Sequence, residues 1–181
     1  MSTEPQDRQK PALRNVQIFK VGLLFCCAAV GSDLIVWYLG KKEYLAFLDI
    51  FTTYVITALL HLSGLQAVME SNTIYLANST WIVTTECTAI FIMLIFASFI
   101  LVYPSPLRAK GIALITGIPV IFCANIARLF MMAWVDKLSP QYTEYFHQYI
   151  WQIVFIVMIV FMWLVWIQRV VASETKISVP S

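Results

Sequence analysis

The chain has 181 residues, of which 60% are hydrophobic and 12% are charged, and its mean hydropathy is +0.79. A soluble domain has about 25% charged residues, so this composition excludes a water-soluble globule and a disordered chain. The net charge of +2 is too small to indicate a nucleic-acid partner. Apolar runs of about 20 residues fill most of the chain and predict a polytopic protein surrounded by membrane lipids.

Four apolar runs are predicted to form transmembrane helices of an all-α integral membrane protein. The two ends of the chain, residues 1–17 and 173–181, are predicted to be cytoplasmic tails, the first of them disordered. Residues 18–172 are predicted to form a single membrane-embedded domain. The four predicted spans cover residues 18–39, 88–103, 111–135 and 149–172.

A fifth apolar stretch, residues 44–69, has a different pattern. Asp49, Thr53, Thr57 and His61 recur every four residues and form one polar stripe on a helix whose other faces are apolar. Such a helix lies in the membrane interface or is re-entrant and faces a polar cavity, so we predict that it does not cross. We expect a structural role for His61.

Basic residues in the loops determine the predicted orientation. Arg108 and Lys110 place the short loop between the second and third spans in the cytoplasm, according to the positive-inside rule. The basic residues near both termini also belong in the cytoplasm. Four crossings satisfy all three requirements, although Lys41 and Lys42 then lie outside.

The extracytoplasmic segment 72–85 is predicted to form a small β-hairpin, in which Thr73–Leu76 pairs with residues 80–83. The hairpin delivers the chain to Cys87, which opens the second span. A thiol at a helix N-terminus lies near the positive end of the helix dipole, which favours the thiolate, although the neighbouring Glu86 opposes this effect. The alternative is an inert interfacial cysteine.

Arg128 lies in the third predicted span, with Asn125 three residues earlier on the same helix face. An arginine inside a span is costly and normally faces a partner or a water-filled cavity. Counted from Gly111, Arg128 lies about 26 Å along the helix, toward the outer side where Cys87 is predicted. The alternative is a guanidinium that snorkels to the outer headgroups.

His147 precedes the last span on the same outer side, and Trp151, four residues later, can pack beneath its imidazole. A histidine titrates near neutral pH and can exchange protons with a thiol, but an interfacial histidine in an aromatic belt is the alternative. Together, a cysteine nucleophile, a histidine proton carrier and an arginine cation are the minimum set for acyl transfer by a thiol. Cysteines and histidines do not cluster, so no metal site is predicted.

These residues resemble the motifs of the exosortase/archaeosortase family, integral membrane cysteine transpeptidases of prokaryotes, over residues 54–161. The shared pattern is a helix ending in Leu-Leu-x-x-x-Gly, a β-hairpin, a cysteine opening a span, an Asn-x-x-Arg in the next span and a histidine before the last. The first motif corresponds to Leu59, Leu60 and Gly64. Members typically read Cys-Ser-Gly where this chain has Cys87-Thr88-Ala89, so it is similar to a compact, divergent subfamily such as exosortase H.

The resemblance implies an enzyme of the prokaryotic plasma (inner) membrane whose active site faces the extracytoplasmic side. The implied catalytic residues are Cys87, Arg128 and His147, and Asn125 is the asparagine of the arginine motif. From their places in the sequence beside these residues, Glu86, Thr88 and Trp151 are predicted to be supporting residues, together with Asn125. The implied substrates are exported proteins with a C-terminal sorting signal, which consists of a recognition motif, a transmembrane helix and a basic tail. The enzyme would hold the cleaved product as a thioester and pass it to an amine, a hydroxyl or water, without a metal or an organic cofactor.

Two other functions remain open on the sequence alone. A non-enzymatic multi-pass assembly or transport subunit would pair Arg128 with Asp33 or Asp49, and Cys87 would be incidental. A quinone-linked thiol oxidoreductase would need cysteine pairs that cycle through disulfides, and Cys87 has no second cysteine in its loop.

Overall fold

Helices and one small sheet make up the part of the chain that the computed structural model describes, which is residues 9–41, 44–76, 79–139, 141, 143 and 150–177. In chain order these elements are α1 (Gln9–Lys41), α2 (Ala46–Leu62), β1 (Ala67–Glu70), β2 (Thr73–Leu76), β3 (Thr80–Ile82), α3 (Ile90–Val102), α4 (Leu107–Leu138) and α5 (Trp151–Ile177). The described chain is therefore mostly helical, as the composition predicts.

Three of these helices are long and apolar enough to cross a membrane, and they correspond to the first, third and fourth predicted spans. The candidate spans are Phe19–Lys41, Leu107–Leu138 and Trp151–Val170. The second predicted span, 88–103, is shorter in the structure, because α3 has 13 residues. These rise about 20 Å, less than the roughly 30 Å of the hydrocarbon core. Helix α3 starts only at Ile90 because Ala89 takes a left-handed conformation.

Helices α1 and α5 extend into the predicted tails. Helix α1 begins at Gln9 and includes residues 9–17, for which the sequence predicts disorder. Pro11 falls in the first turn of this helix, where proline is tolerated because the first N–H groups have no acceptor within the helix. Helix α5 continues to Ile177, inside the predicted tail 173–181.

Helix α2 is shorter than the predicted amphipathic stretch 44–69, because it ends at Leu62. Gly64 follows with a φ of 81°, a left-handed conformation that commonly ends helices. The buried face of α2 carries Thr52, Thr53, Ile56, Thr57 and Leu60. Large apolar side chains such as Phe47 are exposed on its other side, so the threonines face the protein interior and the apolar face of α2 points outward.

The predicted β-hairpin is confirmed, because β2 and β3 pair antiparallel with Thr73 opposite Ile82. A third strand, β1, pairs with the other edge of β2, and the sequence pattern did not predict it. The imidazole Nε2 of His61 lies within hydrogen-bond distance of the carbonyl oxygen of Ala67. His61 therefore fastens the end of α2 to β1, which agrees with the expected structural role.

The sheet packs on α2 and on the last turns of α4. This first core cluster contains Ile56, Leu60, Ala67, Ile74, Val83, Leu129 and Ala133. A second cluster joins α3 to the first half of α4, where the ring of Phe96 occupies the space beside Gly117. Trp163 of α5 stacks on Phe99 of α3. The sheet therefore covers one end of the helices, and Cys87 lies where the two meet.

Candidate active site

Cys87 lies in a single 3₁₀ turn, Thr85–Thr88, between β3 and α3, which we call the cysteine turn. The backbone N–H of Cys87 donates to the carbonyl oxygen of Thr84 at 2.7 Å, and the Thr88 hydroxyl donates to the carbonyl oxygen of Thr85 at 2.7 Å. Cys87 therefore precedes α3 and does not open it, which corrects the predicted helix N-terminus. The left-handed conformation of Ala89 separates the turn from the helix.

The side chain of Cys87 is half-buried. It packs against the first core cluster, and its sulfur lies 3.7 Å from the hydroxyl oxygen of Thr84. The other three free cysteines, Cys26, Cys27 and Cys123, are exposed. The fold thus encloses Cys87 more than the other thiols. Thr84 was missed as a neighbour of the thiol because nothing in the sequence distinguishes it from the threonines around it.

Asn125 connects the cysteine turn to Arg128. Its side chain is fully buried, at 0% exposure, and its Nδ2 donates to the carbonyl oxygen of Cys87 at 2.7 Å. Its Oδ1 accepts a hydrogen bond from Nη1 of Arg128 at 3.5 Å. The structure therefore brings three of the predicted site residues together.

Arg128 is 8% exposed, so its side chain does not lie on the lipid-facing surface as a snorkelling arginine would. The pairing expected of a non-enzymatic subunit is also not observed, because within the described residues neither Asp33 nor Asp49 pairs with Arg128. Each of these carboxylates has one buried oxygen without a hydrogen-bond partner. Arg128 donates to Asn125, which in turn holds the carbonyl group of Cys87, and these two bonds instead place the cation at the cysteine turn.

A cavity of about 660 Å³ opens beside Arg128 and Glu86 of the cysteine turn, and α3 and α5 form most of its wall. Glu86, Arg128, Trp151 and Gln152 line its polar part, whereas the remainder is lined by apolar residues such as Ile95. The volume lies in the range of small-molecule pockets, roughly 300–1,000 Å³. A cavity with this distribution of polarity suits a ligand that is polar at one end and apolar along the rest of its length.

The supporting residues predicted around the cysteine have separate places in the structure. Thr88 is buried and closes the cysteine turn, and Glu86 is exposed at the cavity. The ring of Trp151 lies 6.4 Å from that of Phe155 and lines the same cavity. His147 lies outside the described residues, so its position stays a prediction. The described part of the chain contains no group of three His, Cys, Asp or Glu residues placed to hold a metal ion.

The fold and the site define a class of protein: a multi-pass membrane protein with a cysteine, an asparagine and an arginine joined at one end of its helices. Among models of protein families, that of the transmembrane exosortases matches residues 11–164. The chain belongs to this family, which confirms the resemblance, and its members are in general cysteine transpeptidases that act on proteins with sorting signals. No curated protein and no solved structure shows a significant match to the chain.

Proposed function

We propose that this protein is a membrane-embedded cysteine protease and transpeptidase, which cleaves C-terminal sorting signals of exported proteins through a thioester on Cys87. The observation that carries the proposal is the pair of hydrogen bonds made by the buried Asn125. One bond holds the carbonyl group of Cys87 and the other holds the guanidinium of Arg128. A single side chain thus fixes the proposed nucleophile relative to the proposed cation, beside a cavity that reaches Arg128.

In the first half-reaction, the thiolate of Cys87 attacks the carbonyl carbon of the scissile peptide bond, and a C–O electron pair moves onto the oxygen. Arg128 stabilises this oxyanion, and a cation already held in place needs no reorganisation as the charge develops. His147 takes the thiol proton and donates it to the leaving amine as the C–N bond breaks. The products are a thioester on Cys87 and a free amine on the released transmembrane segment.

In the second half-reaction, an amine, a hydroxyl or water attacks the carbonyl carbon of the thioester. The C–S bond breaks, and His147 accepts a proton from the attacking group and returns it to the sulfur of Cys87. The acceptor determines whether the outcome is transfer or hydrolysis. Neither half-reaction transfers electrons, so no redox cofactor is required.

The cavity supports a substrate that is polar at the scissile bond and apolar beyond it. Arg128 and Glu86 line its polar part, where the recognition motif would bind. The apolar wall formed by α3 and α5 would contact the first turns of the substrate's transmembrane helix. The basic tail of the sorting signal would then lie on the cytoplasmic side of the membrane.

The proposed orientation in a prokaryotic inner membrane has four crossings, with both termini in the cytoplasm and the cysteine turn outside. Three crossings are made by the long helices α1, α4 and α5, and the proposal assigns the remaining crossing to the shorter helix α3, between the cysteine turn and the loop that carries Arg108. Residues 18–172 form the catalytic unit between two cytoplasmic tails. Support comes from α4, along which Lys110 and Arg128 lie about 27 Å apart at 1.5 Å per residue. This separation is close to the roughly 30 Å thickness of the hydrocarbon core. This separation supports an orientation in which the positive loop and the site lie near opposite membrane surfaces.

Replacement of Cys87 tests the proposal. Cys87→Ser keeps the size of the side chain, but a hydroxyl is almost never ionised near neutral pH, so cleavage should stop while the protein is still made and inserted. His147→Ala should lower cleavage about 10²–10⁴-fold through loss of proton transfer, and the double variant should be little worse than Cys87→Ser. The measurement is the accumulation of an uncleaved co-expressed membrane protein with a sorting signal.

Cys123→Ser is the matched control, because this thiol is exposed on α4 and should not be needed. A membrane-impermeant thiol reagent should label Cys87 from outside, whereas the other cysteines lie in segments surrounded by lipid. Cleavage at the normal rate by Cys87→Ser, or loss of cleavage in Cys123→Ser, would refute the proposed mechanism.

A further inference from the structure

Helix α2 contacts the cysteine turn through Asp49. The Oδ2 of Asp49 accepts a hydrogen bond from the hydroxyl of Thr85 at 3.3 Å, and Thr85 is the first residue of the cysteine turn. Asp49 is also the first member of the polar stripe of α2, and its carbonyl oxygen accepts a hydrogen bond from Oγ1 of Thr53 at 2.7 Å. The stripe therefore reaches the active site at the start of α2.

The carboxylate of Asp49 is partly buried. Burial raises the pKa of Asp49 above its ordinary value, and the hydrogen bond from Thr85 offsets part of that rise. Its second oxygen, Oδ1, is buried without a hydrogen-bond partner, and such an unsatisfied acceptor destabilises a fold. The hydrogen bond from Thr85 is the contact that joins this side chain to the cysteine turn.

The cysteine turn is held from two sides. On the C-terminal side of the sulfur, Asn125 of α4 donates to the carbonyl oxygen of Cys87 at 2.7 Å. On the N-terminal side, Asp49 of α2 accepts the hydrogen bond from the hydroxyl of Thr85. The carbonyl oxygen of Thr85 in turn accepts the hydrogen bond from Thr88. The two contacts restrain the turn from two helices, one on each side of the sulfur.

We infer that Asp49 is a positioning residue, which orients the Cys87 thiol for attack by holding Thr85. The inference rests on the proposed role of Cys87 as the nucleophile. Asp49 acts through the turn and does not contact the reacting atoms. Because a misplacement of about 1 Å can lower a rate 10²-fold, loss of this anchor should lower kcat and leave KM for the sorting signal unchanged.

Matched substitutions at both ends of the hydrogen bond test this inference. Asp49→Ala removes the acceptor and should lower kcat about 10- to 100-fold. Asp49→Asn keeps an acceptor oxygen, although a neutral one, and should stay within about threefold of the wild type. Thr85→Val removes the donor and should match Asp49→Ala, whereas Thr85→Ser keeps it. Asp49→Ala combined with Thr85→Val should be no slower than the slower single variant, because both changes remove the same bond.

Asp33→Ala is the control, because Asp33 is a carboxylate of α1 that also has a buried oxygen without a partner. It should cleave substrate at the wild-type rate. Labelling of Cys87 by a water-soluble thiol reagent, with the other three cysteines replaced by serine, separates this inference from the proposed function. A labelling rate altered in Asp49→Ala and restored in Asp49→Asn supports positioning, even if Cys87→Ser were to cleave substrate. Unaltered labelling in Asp49→Ala, or an Asp49→Asn variant as slow as Asp49→Ala, overturns it.

Discussion

Substitution of Asn125 by aspartate removes a hydrogen-bond donor without changing the size of the side chain. In the wild type, Nδ2 of Asn125 donates to the carbonyl oxygen of Cys87 at 2.7 Å. An ionised carboxylate has no donor, so Asn125→Asp places two acceptor oxygens against each other. The side chain is 0% exposed, so water cannot take the place of the lost donor. The cysteine turn should therefore move away from α4.

The expected loss of activity follows from the free energy of the broken contact. An unsatisfied buried acceptor costs about 1–3 kcal/mol, and a tenfold change in rate corresponds to about 1.4 kcal/mol. If this whole free energy is added to the barrier of the cleavage step, cleavage should slow by about 5- to 150-fold. The new negative charge also lies beside the guanidinium of Arg128, where the neutral oxygen lay at 3.5 Å, and it offsets the charge available to the oxyanion. Asn125→Asp should therefore fall in the upper half of this range and Asn125→Ala in the lower half.

A pulse-chase experiment on a co-expressed substrate measures the rate of cleavage, and an immunoblot of the membrane fraction checks that each variant is inserted. Cys123→Ser, an exposed position on the same helix, controls for general effects of substitution in α4. Cleavage by Asn125→Asp at the wild-type rate would show that the link between Cys87 and Arg128 is unnecessary. A slower rate for Asn125→Ala than for Asn125→Asp would refute the argument from charge.

Three further predictions concern orientation, charge geometry and packing. Reporter fusions at position 106 and at the C-terminus should both report the cytoplasm, and opposite locations would exclude four crossings. Arg128→Lys keeps the charge but loses the planar guanidinium, so a pulse-chase should show that most cleavage is lost although the protein is inserted normally. Near-normal cleavage would show that the oxyanion needs only the charge and not the two-pronged donor of a guanidinium. Gly117→Ala places a methyl group against the Phe96 ring. This overpacking should lower the free energy of unfolding by about 1–3 kcal/mol, and the Tm in detergent should fall by a few degrees. Gly111→Ala, which meets open space, is the control, and equal Tm values for the two variants would contradict the packing.

The long helices could be predicted because hydropathy over about 20 residues depends on composition alone. The hairpin of β2 and β3 could be predicted because its side chains alternate. Strand β1 could not, since Ala67, Val68 and Met69 belong to the same apolar stretch as α2, and short apolar runs do not distinguish a helix from a strand. Gly64 is the residue from which the end of α2 could have been predicted, because a glycine after the last helical turn commonly ends a helix. In the structure its φ is 81°.

Spacing along one helix was enough to predict that Asn125 and Arg128 share a face. The bonds that join different elements, from Asn125 to Cys87 and from Thr85 to Asp49, link residues far apart in the chain, so no local pattern encodes them. Alanine rarely adopts φ near 60°, so the sequence at Ala89 does not indicate the left-handed residue that separates the cysteine turn from α3. The family pattern has glycine at this position, which suits a left-handed residue.

In the proposed reaction Cys87 forms a thioester with the cleaved substrate, and mass spectrometry of the enzyme tests this step most directly. Enzyme purified from membranes during cleavage should carry an acyl group on the peptide that contains Cys87. Hydroxylamine should release this group, since it attacks thioesters, and Cys87→Ser should carry none while Cys123→Ser retains it. An acyl group on another residue, or continued cleavage with Cys87 never modified under conditions that trap the intermediate, would contradict the account.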